Sequence, residues 1–357
     1  MRLLTSLTLN PFLRQNEIAV ETGVSRSAVN QLWRKLEQFN GLRVSGLLRY
    51  GQLGHQLVFG WAVSSSPSSL DKFSSWLSAN PRVQIQLRSI ICSRGNHSLY
   101  FETLSPPGAP LRQLCNNMGL FAKPPYDLEV EYDIATRTSD QMNLGSFDGQ
   151  DWSFQDTFRL GASLHAVRHY ADVLPTGTAV NQEFHGSVPI EDLALASCLE
   201  EYHHCSAKYA LSRLEHLGLP CPVEGVVRRR LARIRPQVSV PYVEVEGIGL
   251  DQRLIVCMKG VSEEQDLLRT LRAQSTTFPR VHITDGARLA VFDIRLPVGV
   301  PWIHILSFLT SLSTSSIQLF AFLADPCVKR KGLEPVLHHV LQHPSSSQSP
   351  YAHTRQS

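Results

Sequence analysis

The chain has 357 residues, of which 43% are hydrophobic and 18% are charged, a balance typical of a globular protein with two or three domains. Its net charge of +3 argues against attraction of nucleic acid by the whole surface, and no run of about 18 apolar residues predicts a membrane span. Seven scattered cysteines without a CxxC pair argue against a disulfide framework, so we expect reduced thiols and a cytoplasmic, nucleoid-associated protein.

Residues 1–52 are predicted to form a winged helix-turn-helix, centred on Gln15–Phe39. Gly23 stands where the turn needs positive φ, and Ser25 stands where the second helix needs an N-cap. Beyond Ser25, apolar residues recur at helical spacing, and the opposite face carries groups that can contact phosphates and base edges. The predicted DNA contacts on this helix are Ser25, Arg26, Ser27, Asn30, Gln31, Arg34 and Lys35. An ordinary helical hairpin with a basic solvated face is the alternative.

The segment Leu42–Tyr50 alternates apolar and polar residues and is predicted to be the wing, with Arg43 and Arg49 in reach of DNA phosphates. Residues 53–138 then show the pattern of a ferredoxin-like domain, β-α-β-β-α-β. Its predicted elements are strands at Leu57–Val63, Val83–Leu87, Leu99–Leu104 and Leu128–Ile134, and helices at Leu70–Leu77 and Pro110–Met118.

A winged helix followed by a ferredoxin-like domain resembles the Lrp/AsnC family of transcription regulators, through the helix-turn-helix, the Leu53-Gly54 step and the Gly95 hairpin. The resemblance implies binding of double-stranded DNA and dimerisation or higher oligomerisation through the ferredoxin-like (RAM-type) sheets. It also implies an amino acid or another small effector near the hairpin. The family usually has an acidic glycine-aspartate turn there, whereas this chain has Arg94-Gly95-Asn96-His97.

The second half of the sequence is a diverged copy of the first. Pro81–Ile85 matches Pro279–Ile283, and Phe101-Glu102 matches Phe292-Asp293. A second ferredoxin-like domain is therefore predicted over residues 248–326, with helices at 262–274 and 301–311. The predicted fold class is α+β, with two copies of a winged helix-turn-helix followed by a ferredoxin-like βαββαβ domain. The two copies are expected to form a pseudo-dimer within one chain.

Residues 187–247 are predicted to hold a degenerate second winged helix-turn-helix, whose reading helix we align by matching Leu36-Glu37 to Leu214-Glu215. Lys208 and Arg213 then face outward, as do His203, His204 and Cys205. A dense arginine run falls at the position of the second wing and is predicted to contact phosphates. Its members are Arg228, Arg229, Arg230 and Arg233. A solvated basic face is the alternative.

The remaining segments are a polar linker at residues 139–186, which could hold one helix near 158–171, and a tail at 327–357 that is predicted to be disordered at its end. No cofactor is expected, and no metal site, because the His and Cys residues lack metal-ligand spacing. No P-loop, nucleophile elbow or dinucleotide fingerprint is present, and no acid/base pair stands out.

These patterns favour a sequence-specific, double-stranded DNA-binding transcription regulator that is not an enzyme. Two alternatives stay open. Siroheme decarboxylases are built on the same pair of domains as two related subunits, and Asn96–Phe101 faintly resembles their hairpin strand. The third hypothesis is a co-regulator that pairs with other family members without binding DNA.

Overall fold

The computed structural model describes residues 2–92, 96–153, 177–182, 188–260, 277–300 and 317–342, together with residues 268, 269, 271, 272, 275 and 305. The first winged helix-turn-helix comprises α1 (Arg2–Leu9), α2 (Gln15–Thr22), α3 (Arg26–Asn40) and β1 (Arg43–Leu48). Gly23 has φ 69° at the turn, and the Ser25 hydroxyl accepts the Ala28 N–H at 3.2 Å. The predicted turn and N-cap are therefore confirmed.

The first ferredoxin-like unit has the predicted β-α-β-β-α-β order. A short 3-10 helix at Tyr50–Leu53 leads into it. Its elements are β2 (Gln56–Ser64), α4 (Pro67–Ser78), β3 (Val83–Cys92), β4 (His97–Ser105), α5 (Ala109–Phe121) and β5 (Glu129–Ile134). One face of the strands packs on α4 and α5 around Phe73 and Phe101, whose rings meet at 5.6 Å. The other face turns towards the second half of the chain.

Two strands lie in the segment predicted to be a linker. They are β6 (Arg137–Met142) and β7 (Thr178–Val180), and β6 pairs antiparallel with a strand of the second half. The helix predicted near 158–171 falls outside the described residues. The linker prediction missed β6 because its sequence, RTSDQM, is polar and becomes a strand through its neighbour in the sheet.

The second half repeats the order of the first. Its described elements are α6 (Ile190–Glu201), α7 (Ala207–His216), α8 (Glu224–Val238), β8 (Ser239–Glu244), β9 (Gln252–Lys259), β10 (Arg280–Asp285), β11 (Leu289–Leu296), β12 (Gln318–Ala324) and α9 (Glu334–Gln342). The helices predicted at 262–274 and 301–311 lie largely outside the described residues. The predicted tail contains α9, because Val336 and Leu337 are buried against the core.

The arginine run of the second half lies on a helix and not on a wing. Arg228 to Arg233 belong to α8, which leads directly into β8 as α3 leads into β1. The counterpart of the reading helix α3 is therefore α8, one helix later than the match through Leu214-Glu215 indicated. The predicted register failed because two consecutive helices, α7 and α8, both carry an apolar stripe.

Strands from the two halves of the chain pair with each other. Strands β1 and β8 pair with each other as an antiparallel ribbon, while the other strands form a ten-stranded sheet in the order β5-β2-β4-β3-β12-β9-β11-β10-β6-β7. The sheet curls, so that Asp133 at the end of β5 accepts the Arg288 N–H at 2.6 Å near β11. Inner-face residues of both halves meet inside it, as Trp61 and Phe320 do with ring centres 5.5 Å apart.

Candidate active site

A cavity of about 500 Å³ lies between the β1–β8 ribbon and the inner face of the curled sheet, a volume within the range of small-molecule sites. Part of its wall is apolar, formed by Leu47, Leu48 and Leu57. The rest is strongly charged, with eight Lys or Arg and nine Asp or Glu side chains. A ligand with an apolar body and a few polar groups would suit such a wall.

The strand period explains why charged side chains face this cavity. On β10, Val281 and Ile283 pack outward into the helical layer, which turns Arg280, His282 and Thr284 inward. Neighbouring strands contribute Glu102 from β4, Asp140 from β6, Arg253 from β9, and Asp293 and Arg295 from β11. Elsewhere the inner face is apolar, as at Trp61 and Phe320.

His282 and Asp140 form a buried pair on adjacent strands. His282 Nδ1 lies 3.2 Å from Asp140 Oδ2, and both side chains are under 10% exposed. A carboxylate can only accept, so an ionised Asp140 places the proton on Nδ1 and leaves Nε2 free to act towards the cavity. Among the described residues, His282 Nε2 and Asp140 Oδ1 are buried without a hydrogen-bond partner. Buried polar atoms are usually hydrogen-bonded, so these two atoms are available to the polar groups of a ligand in the cavity.

Glu102 is held by a network that crosses between the halves of the chain. Arg330 binds its carboxylate through two hydrogen bonds of 2.9 and 2.6 Å, and the Thr284 hydroxyl donates at 2.9 Å. The Tyr100 hydroxyl also donates to it. Burial acts to raise the pKa of Glu102, but the Arg330 guanidinium outweighs it and lowers the pKa to about 2. Glu102 is therefore an anion at physiological pH.

Asp293 and Glu244, which also face the cavity, are paired with arginines as well. Arg253 binds Asp293 through two hydrogen bonds of 2.8 and 2.5 Å, and the pKa of Asp293 is lowered because Arg253 outweighs the effect of burial. Glu244 accepts from Arg280 at 3.0 Å and from Arg43. Burial acts against ionisation of Glu244, and these two arginines lower its pKa to about 2.

Glu200 differs from these arginine-paired acids. Its side chain is half-buried at the end of α6, where the carboxyl accepts the Leu333 N–H at 2.6 Å and the Tyr50 hydroxyl at 2.9 Å. Burial raises the pKa of Glu200 to about 7, and these two hydrogen bonds oppose that shift without cancelling it. Glu200 can therefore release or take up a proton near neutral pH, as a general acid or base must.

The predicted DNA-contacting face of α3 is open to solvent. Arg26, Arg34 and Lys35 are exposed, and none of them has an ion pair within the described part of the chain. Ser25, Ser27 and Gln31 are exposed beside them, and Asn30 is half-buried. The structure therefore brings these predicted residues onto one helical face.

The predicted wing residues are used inside the protein. Arg43 pairs with Glu244 at the cavity, and the Arg49 guanidinium donates to the Pro236 and Gln237 carbonyls at 2.8 Å each. Strand β1, which holds Arg43 and ends just before Arg49, pairs with β8 and does not extend as a free wing. Phosphate contact by these two arginines would need these bonds to open.

Most of the predicted basic residues of the second half have acidic partners. Arg213 pairs with Glu334 at 2.7 Å and Arg228 with Glu224 at 2.6 Å. Asp192 lies 2.6 Å from Arg230 and 3.7 Å from Arg233. Lys208 and Arg229 are exposed. This face is consequently less positive than the arginine run suggests.

The His203-His204-Cys205 stretch lies differently from the prediction. His203 and Cys205 are buried, and His203 Nδ1 lies 3.0 Å from the Ser239 hydroxyl. Burial lowers the pKa of His203 to about 3, so the ring is neutral. No group of three or more potential metal ligands occurs within the described ranges.

Sequence reasoning did not identify the cavity residues, although one signal was present. The repeat match of Phe101-Glu102 with Phe292-Asp293 places an acid inside a strand that is buried along most of its length in both copies. A buried acid needs a partner, which is Arg330 for Glu102 and Arg253 for Asp293. The pairing itself joins residues far apart in sequence, which no local pattern shows.

The described elements define an α+β protein with two winged-helix plus ferredoxin-like units in one chain. No protein-family model and no curated protein matches the sequence. Among solved structures, the siroheme decarboxylase NirDL is 14% identical, covers 96% of this chain and 99% of its own, and has a TM-score of 0.49. NirDL in co-complex with an iron-uroporphyrin III analogue is 13% identical over 92% of this chain and 93% of its own, with a TM-score of 0.48.

The protein PH0061 is 19% identical over 38% of this chain and 88% of its own, with a TM-score of 0.25. Two of the matches, which run along nearly the whole chain, are to an enzyme, and they contradict the expectation that this chain is not an enzyme. None of the three matches is described as a transcription regulator. Within the described residues, no helix is long and apolar enough to span a membrane.

Proposed function

We propose that this chain is an enzyme and that the cavity beneath the β1–β8 ribbon is its active site. The observation that carries the proposal is His282, whose Nε2 is buried at the cavity without a partner among the described residues, while its Nδ1 is fixed by Asp140. The Asp140 carboxylate beside Nδ1 orients the imidazole and stabilises its protonated form. This is the arrangement of a general acid or base.

The proposed reaction is decarboxylation of a small molecule that carries carboxylate groups. When a carboxymethyl group loses CO₂, the C–C bond breaks, its electron pair stays on the methylene carbon, and that carbon takes up one proton to become a methyl group. No oxidant or reductant enters this balance. His282 is the proposed proton donor, and Glu200, with a pKa of about 7, can return protons to the cavity.

Siroheme is the first substrate to test, since NirDL is named a siroheme decarboxylase and its co-complex holds an iron-uroporphyrin III analogue. The apolar wall of Leu47, Leu48 and Leu57 offers a surface for an aromatic macrocycle, and the charged wall offers groups for its carboxylates. The proposal itself rests on the residues of the cavity.

The test combines binding and turnover. Siroheme should change its absorption spectrum on titration with the full-length protein, and mass spectrometry should show product that has lost CO₂. His282→Gln should lower kcat by about 10²-fold or more, since general acid catalysis contributes on that order. The matched control is His216→Gln, at an exposed position on α7, which should behave like the wild type. The proposal fails if no carboxylated tetrapyrrole binds or reacts.

DNA binding is a second candidate function, favoured by the exposed basic face of α3. The test is a gel-shift titration with genomic fragments at several salt concentrations. The double variant Asn30→Ala with Arg34→Ala should weaken binding, because a lost base contact costs roughly 1–3 kcal/mol and a lost phosphate contact lowers the salt dependence. Equal binding by the variant and the wild type would exclude α3 as the reading helix.

A further inference from the structure

Three arginines stand side by side on the inner face of the sheet at the cavity. Arg295 on β11 is the cross-strand partner of Arg280 on β10 and of Arg253 on β9. Like charges directly opposite each other destabilise a sheet, and burial strengthens the repulsion. Each of these guanidinium groups therefore requires a negative charge nearby.

Two of the three have that charge within the protein. Arg253 is bound to Asp293 by two hydrogen bonds, with both side chains at most 5% exposed. Arg280 is 3.0 Å from Glu244 and 3.4 Å from Asp140. The row is thus neutralised on both sides of Arg295.

Arg295 itself lacks a matching carboxylate. Its Nη1 donates to the Pro326 carbonyl at 2.6 Å, and among the described residues no Asp or Glu oxygen lies within the 4.0 Å of an ion pair. Burial lowers the pKa of Arg295 to about 10, Asp293 opposes the shift, and the guanidinium groups of Arg253, Arg280 and Arg330 add to it. At neutral pH the group still carries its charge.

We propose that Arg295 is the binding site for one anionic group, a carboxylate or a phosphate, of the molecule that occupies the cavity. As an assignment of a substrate group the inference rests on the proposed function, but the binding of an anion does not depend on turnover. A planar guanidinium suits both carboxylate and phosphate oxygens, because its N–H groups can donate in parallel pairs.

The surroundings of Arg295 fit such a subsite. It lines the same cavity as His282, whose Nε2 is buried without a partner in the described part of the protein. An anion placed on Arg295 would also relieve the repulsion within the arginine row. A purely structural Arg295 would have the Pro326 carbonyl as its partner but would leave its charge unbalanced.

The experiment measures anion binding without a substrate. Thermal unfolding of the full-length wild type is followed with increasing acetate or inorganic phosphate, and with chloride at the same ionic strength. Bound anions should raise the unfolding midpoint in a saturable way, because a ligand that binds only the folded state stabilises it. Arg295→Gln should weaken this binding by about tenfold or more, and Arg295→Lys should keep part of it.

The matched control is Arg112→Gln, at an exposed position on α5, which should respond to anions as the wild type does. The relative response to acetate and to phosphate identifies the anion that the site prefers. Two results would overturn the inference: no saturable response of the wild type to either anion, or an Arg295→Gln protein that responds as strongly as the wild type. An Arg295-dependent response without siroheme turnover would keep the anion site and count against the decarboxylase.

Discussion

Removing one partner of the buried Arg253–Asp293 pair should cost far more stability than breaking an exposed pair of similar geometry. The two side chains are 2% and 5% exposed, and two hydrogen bonds of 2.8 and 2.5 Å join them. Arg253→Met keeps much of the side-chain volume but leaves the Asp293 charge inside the protein without its main partner.

The expected loss follows from the cost of an unpaired buried charge. Breaking a buried ion pair from one side costs roughly 3–5 kcal/mol. Arg330 lies 3.9 Å from Asp293 and softens the loss, whereas the hydrogen bond of 2.7 Å from Arg253 to the Val328 carbonyl is lost as well. These two effects oppose each other, so we expect the free energy of unfolding to fall by about 3–4 kcal/mol.

The assay is urea denaturation at neutral pH, with the exposed pair Arg88–Asp71 as the comparison. That pair is also short, at 2.6 Å, but its side chains are 48% and 56% exposed. Arg88→Met should therefore cost less than about 1 kcal/mol. Adding Asp293→Asn to Arg253→Met should recover part of the loss, because the unpaired charge disappears.

A small effect would refute this reasoning. If Arg253→Met costs no more than Arg88→Met, water or a rearranged Arg330 must screen Asp293, and the charged wall is less dry than the structure indicates. The pH dependence gives a second check. Pairing lowers the pKa of Asp293, so its stabilising contribution is present above the unfolded pKa near about 4 and is lost as the pH falls through the lower folded value.

Two further predictions concern the walls of the cavity. The pKa of Glu200 is about 7 in the folded protein and about 4.5 unfolded, so from about pH 4.5 to 7 the unfolded state loses the proton first and stability falls by on the order of 3 kcal/mol. Glu200→Gln should lack that decline relative to the wild type in denaturation curves across this range, and parallel curves would refute the shift. Gly46→Ala should destabilise the protein by about 2 kcal/mol or more in the same assay, since its Cβ would overlap the Leu199 carbonyl and the Ser239 hydroxyl. An unchanged midpoint for Gly46→Ala would mean that the ribbon is not packed tightly on α6.

The helices and strands of the first half could be predicted from the sequence, because each of them is specified by residues that are close together in the chain. Gly23 and Ser25 fix the helix-turn-helix by backbone conformation and capping, and the apolar runs at Leu57–Val63 and Leu99–Leu104 predict strands β2 and β4. A short motif also indicated the duplication, through the match of Phe101-Glu102 with Phe292-Asp293. These features need no knowledge of distant residues.

The candidate active site could not be predicted from the sequence, because its contacts join segments that are far apart in the chain. Glu102 and Arg330 are 228 positions apart, and His282 and Asp140 are 142 apart. Arg43 looked like a phosphate contact because nothing near it in sequence shows that Glu244 lies beside it. Which basic residues remain free for a ligand depends on these pairings, and only the fold provides them.

The two copies have diverged into unequal partners around one cavity. The repeat aligns Gln84 with His282 and Glu102 with Asp293. In the second copy, His282 is flanked by Asp140 and has no partner at Nε2 among the described residues. The Gln84 amide donates to the Arg82 carbonyl at 3.2 Å, and its Oε1 also lacks a partner there, but an amide cannot act as a general acid or base at neutral pH. The carboxylate of Glu102 is also occupied, by the two hydrogen bonds from Arg330. Duplication therefore supplied two equivalent strands, but only the second copy keeps an uncommitted histidine at the cavity, and the proposed chemistry belongs there.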